Sequence, residues 1–131
     1  MPSQEIHIAF RVLGTKRAIH DLVNRIPVKP MGIWYAGQIR PRTSIREINN
    51  GIEFHRKSLK ATTLNHEVKN LLKTLRPALP MIEALPPRFR RQLACAIYSP
   101  HAPELFLDED ALSALASCKA SIDIDLYSVA E

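Results

Sequence analysis

The sequence predicts a two-layer α+β domain: a largely antiparallel sheet of about five strands with helices on one face. Period-two alternation near both ends marks strands, and three stretches between them carry apolar residues at helical spacing. The elements run in the order β-α-β-β-β-α-α-β-α-β, an interspersion that suits helices packed on a sheet. With 131 residues, 46% of them hydrophobic, the chain reads as one domain over 1–131. A chain of this length buries roughly two-thirds of its unfolded surface.

Ile6, Ile8, Phe10 and Val12 alternate with His7, Ala9, Arg11 and Leu13, the pattern of a half-buried strand that Gly14 ends. Thr15 caps a helix whose Ala18, Ile19, Leu22, Val23 and Ile26 share one side, and Pro27 and Pro30 stop it. Residues 32–39 read as a strand. Residues 43–48 and 52–57 flank Asn49-Asn50-Gly51, and an Asn-Gly pair supplies the two positive φ angles of a type I′ hairpin turn. Thr62 or Thr63 opens the strongest helix, with Leu64, Val68, Leu71, Leu72 and Leu75 on its apolar side and Asn65, Glu67, Lys69, Lys73 and Arg76 opposite. Pro77 ends it, and a shorter helix follows over 80–85.

Residues 92–98 (QLACAIY) are too apolar for an exposed strand and belong inside the sheet. Asp108 caps a helix bearing Ala111, Leu112, Leu115 and Ala116, with Glu109 and Asp110 at its positive end. In the last strand, 121–127, Ile122, Ile124 and Leu126 face in while Asp123, Asp125 and Tyr127 face out.

Charge is divided along the chain. There are 14 basic and 5 acidic side chains through Pro80, then 4 and 8, for a net charge of +5 overall. Such segregation steers encounters with charged partners. The basic residues are dispersed and aromatic residues are few, so nucleic-acid binding by the N-terminal half stands as an alternative without a cluster behind it. Two surfaces are candidates for a partner. Arg88, Arg90 and Arg91 around Phe89, with Arg40 and Arg42 in another loop, suit an anionic group; Glu104, Asp108, Glu109 and Asp110 could mimic phosphates, although the helix dipole alone accounts for the last three.

Asp123 and Asp125 lie side by side on one strand face, as a divalent cation or an acid–base pair would require. They would equally pair with His7 and Arg11 if the first and last strands were neighbours. The five His have no zinc-like spacing, Cys95 and Cys118 read as small core residues, and four Gly leave no phosphate loop. No nucleophile or base can be named, and neither a cofactor nor a metal is expected. No apolar run is long enough to span a membrane, and no leader is visible, so a cytoplasmic location is expected.

The opening IHIAFRVLG, the Ile26-Pro27 helix end, Gly37 followed by Arg40, Phe54 and Ser58 in one strand, Leu75-Arg76-Pro77, and the closing LSALASCKASIDIDLY occur together. This combination resembles the uncharacterised bacterial domain-of-unknown-function family 4279. The resemblance implies the fold and brings no established activity. Small bacterial domains of this kind recur among immunity proteins paired with secreted toxins, and the resemblance implies such a role by association. The expectation is a non-enzymatic protein-binding domain, a monomer or weak dimer, that neutralises a toxin by direct contact.

Overall fold

The computed structural model describes residues 4–129. Its elements are β1 (Glu5–Gly14), α1 (Lys16–Arg25), β2 (Gly32–Trp34), β3 (Asn50–Ser58) and α2 (Leu64–Leu75). A 3₁₀ turn (Arg76–Ala78), α3 (Leu79–Glu83), β4 (Arg90–Ser99), α4 (Glu109–Ser117) and β5 (Ser121–Ser128) follow. The strands lie in the order β2-β3-β1-β4-β5. All neighbours are antiparallel except β4 and β5, which run parallel because α4 carries the chain back to the starting edge.

The first strand made is thus the central one. Its Ile6, Ile8, Phe10 and Val12 are fully buried, and Phe10 stands between Phe54 of β3 and Leu93 of β4. From the helical layer, Ile19 and Leu22 of α1, Val68, Leu71 and Leu75 of α2, and Leu115 of α4 close over this row. Cys95 and Cys118 are free and buried, and burial pushes both thiols up to about 11. The core reading of both cysteines therefore holds.

Capping follows the sequence. Thr15 accepts from Ala18 N at 3.2 Å, Thr63 from His66 N at 3.1 Å and Asp108 from Ala111 N at 2.9 Å. Asp108 does more than cap. Lys69 Nζ donates to it at 2.7 Å and Asn65 Nδ2 at 3.0 Å, so one carboxylate ties α4 to α2.

Those three donors, Lys69 first, hold the Asp108 carboxyl well below the usual carboxylate range. A lowered native value gives stability that is complete above the unfolded carboxyl's pKa of about 3.9 and fades as pH falls toward the native one. Asp108→Asn is accordingly expected to melt below the parent at neutral pH, with the gap closing in progressively more acidic buffers below about pH 4. A gap that stays constant down the acid limb would show that the charge contributes nothing.

Three expectations are corrected. The strand expected over 32–39 shrinks to Gly32–Trp34, and residues 43–48 form no strand beyond a single bridge between Ile39 and Arg46. The Asn50-Gly51 pair makes no turn: both residues lie in β3, and Gly51 lacks the positive φ that a type I′ turn demands. A Cβ on Gly51 would meet Leu13 Cδ2 at 2.6 Å and Trp34 Cζ2 at 2.7 Å, so glycine is there for close approach. The chain reverses earlier, at Pro41 and Arg42. Thr43 N donates to Arg40 O at 3.1 Å and Arg42 takes φ 61°, the pattern of a type II turn with proline at its second position. The third correction is β5, where Ile122 reaches the core but Ile124 and Leu126 stay 36% and 51% exposed. Because Asp108 draws α4 onto α2, the far half of this edge strand is left without a cover.

Candidate functional site

One face of the sheet carries the helices; among the described residues the other carries none, and alternation decides what it displays. In register across β3, β1, β4 and β5 the open face reads Lys57–His7–Ala96–Asp125 in one row and His55–Ala9–Ala94–Asp123 in the next. A third row reads Glu53–Arg11–Gln92–Ser121. The three alanines leave a low floor between taller walls, forming an open trough of about 520 Å³. One wall carries His7, His55 and Lys57. The other carries Asp125, two strand spacings from His7, or roughly 10 Å.

Local pairs hold the walls upright. His7 Nε2 lies 3.1 Å from Glu5 Oε2, and its ring meets Tyr98 edge-on with centroids 5.5 Å apart. Tyr98 in turn stacks on Tyr127 at 4.7 Å, so a line of rings closes one end of the trough across β1, β4 and β5. Arg11 faces Glu53 at 3.7 Å, and Gln92 donates to Asp123. Asp123 and Asp125 therefore do not pair with His7 and Arg11 directly, because β4 separates the first strand from the last.

Beyond Arg11 the face continues into a second hollow of about 620 Å³ lined by Trp34, Arg40, Glu47 and Asn49. Arg40 Nε donates to Glu47 Oε1 at 2.9 Å; this contact raises the pKa of the guanidinium and lowers that of the carboxyl. A floor of small side chains between this mixed wall and the acidic side chains of β5 can hold an extended polar surface. Among the described residues, no three His, Cys, Asp or Glu side chains gather where a metal ion could be held.

The residues singled out from sequence do not form two surfaces. Arg91 is corrected outright: it is 5% exposed, on the helical face of β4, and its Nη1 donates to Leu85 O at 3.1 Å and Ile82 O at 3.4 Å. It closes the end of α3 and cannot meet a partner. Arg90, on the open-face row opposite Leu13, is exposed, as is Arg88 beside the buried Phe89. Arg42 stands at the type II turn. Asp108 is committed to α2, while Glu104, Glu109 and Asp110 remain exposed.

His55, Ala94 and Ala96 escaped sequence reasoning as site residues. Their signal was the alternation of β3 and β4, which becomes a surface only once the strand order is known.

Comparison with known proteins gives a family model, described as "Domain of unknown function (DUF4279)", that matches residues 4–129. No curated protein and no solved structure matches. No helix among the described residues is long and apolar enough to cross a membrane.

Proposed function

The chain belongs to the DUF4279 family, and from that premise we propose that it is a non-enzymatic binding domain whose open sheet face receives a protein partner. One observation supports this most: across the open face a floor of alanines separates a mixed wall on β1 and β3, bearing His7, Arg11, Glu53, His55 and Lys57, from the carboxylates of Asp123 and Asp125 on β5. Complementary charge on a partner would fix register and speed encounter. The biological role we propose is neutralisation of a secreted toxin, in which the domain covers the toxin's working surface. The family resemblance supports that role by association alone.

The nucleic-acid alternative has no comparable feature behind it. Arg56 faces Glu67 within the helical layer, Lys69 holds Asp108 and Arg40 holds Glu47, so part of the basic half is spent internally.

The test is to read the genes flanking this one and to co-express the chain with a secreted-toxin domain encoded there; a locus without one would overturn the toxin-neutralising role. Rescue of growth and a stable complex of the two purified proteins are expected. His55→Glu with Lys57→Glu should weaken that complex roughly tenfold, mostly through slower association, whereas Glu109→Lys with Asp110→Lys should leave it unchanged. Absence of rescue would overturn the toxin-neutralising role. An effect of the α4 pair alone would move the contact away from the sheet.

A further inference from the structure

The two edges of the sheet are built differently. At one edge β2 is three residues long, and the segment after it folds onto itself, with Glu47 N donating to Gln38 O and Gly37 N to Glu47 O. Short, crowded edges of this kind resist pairing with other chains. At the other edge β5 runs for eight residues, SIDIDLYS, with β4 as its only ladder partner among the described residues. It contains no proline and no lysine, two residues that commonly blunt an edge.

Its two faces differ sharply. Asp123 and Asp125 point to the open face and Ile124 and Leu126 to the helical face, where α4 leaves them exposed. Beside Leu126, a hollow of about 310 Å³ is lined by Pro100, Ala102, Pro103 and Ile97.

The acids decide what can be added. A second copy pairing antiparallel about a two-fold axis through the sheet must keep each face in phase. The two fullest in-phase registers set Asp123 against Asp125, or Asp125 against its own copy. Like charges directly opposite are destabilising, so the chain disfavours itself at this edge. A strand with cations at alternate positions meets the opposite situation, gaining charge pairs on one face and apolar contacts on the other.

Resting on the binding reading above, we propose that β5 is a strand-addition site for an extended segment of a partner protein in which Lys or Arg alternates with aliphatic residues. Main-chain hydrogen bonds to the free edge supply affinity, Asp123 and Asp125 select cations, and the hollow beside Leu126 takes one aliphatic side chain.

The experiment uses a short capped peptide alternating Lys with Val, and a control of the same composition with its Lys and Val in separate blocks. The alternating peptide should bind and slow hydrogen exchange at the outward-facing amides of β5, whereas the block peptide should do neither. Methylating alternate backbone nitrogens of the alternating peptide should abolish binding. Asp123→Lys with Asp125→Lys, both at exposed positions, should cost roughly tenfold in affinity and transfer the preference to a Glu–Val peptide. Equal binding of the two Lys–Val peptides, or protection elsewhere than β5, would overturn the proposal. If the alternating peptide fails while the toxin complex forms, strand addition falls and the binding reading stands; if both fail, both fall.

Discussion

Replacing Phe10 by Ala is expected to lower the unfolding free energy by roughly 3–5 kcal/mol, the usual cost of emptying a buried aromatic site. Phe10 is fully buried on the central strand, with Phe54 on one neighbouring strand and Leu93 on the other. Both neighbours are held in ladders and cannot close the void without shifting the sheet. A loss of that size is a large fraction of the 5–15 kcal/mol by which small domains are stable. Urea unfolding should show a lower midpoint with an unchanged slope. Leu126→Ala is the matched control, since its side chain is already half in water, and it should shift the midpoint little. Equal shifts for the two variants would mean that the core does not lie under the helices.

The second large effect concerns Glu67. It is 3% exposed, and its carboxylate accepts from Arg56 Nε at 2.8 Å and from Thr62 Oγ1 at 3.0 Å. Arg56→Met would leave a buried anion with a single hydroxyl donor, at a cost of about 1–3 kcal/mol, since the Arg56 end of the pair is 43% exposed and water can partly take its place. Glu67→Leu in the same chain should recover most of that loss, because it removes the buried charge that Arg56→Met leaves without its cation. Thermal melts of the parent, the two single variants and the double form a cycle that isolates the coupling. Additive losses would show that Arg56 and Glu67 act independently.

Glu67 also marks where the sequence was silent. Helical spacing placed the leucines of α2 correctly, since a stripe must face the sheet wherever the sheet lies. The same spacing put Glu67 with the solvent-facing residues. A side chain at the border of a stripe goes in or out according to its partner, and that partner, Arg56, stands on a strand whose neighbours were unknown. Arg91 differs: the strand is expected to begin at residue 92, which leaves Arg91 in the loop before it, whereas β4 begins at Arg90 and the carbonyls Arg91 reaches belong to α3 and the residues after it.

The hairpin shows a different limit. Asn-Gly is a strong turn signal, yet glycine answers two needs, positive φ and close approach, and a single sequence does not separate them. Pro41 held the competing signal, and the type II turn formed there. At β5 alternation reveals the two faces but not their burial, because an edge strand buries only the portion that a helix reaches. The trough was the least legible feature: its walls come from β1, β3 and β5, far apart in the chain, and it exists only through the strand order.

The central place of β1 has a consequence for synthesis. As the polypeptide leaves the ribosome, Ile6, Ile8, Phe10 and Val12 emerge first, yet both their ladder neighbours are encoded later, the nearer beginning at Asn50 and the farther at Arg90. At ordinary translation speeds that row stays unsatisfied for on the order of seconds. During that interval the row lacks both ladder partners, and slow codons placed between β1 and β3 are expected to raise the nascent chain's tendency to aggregate.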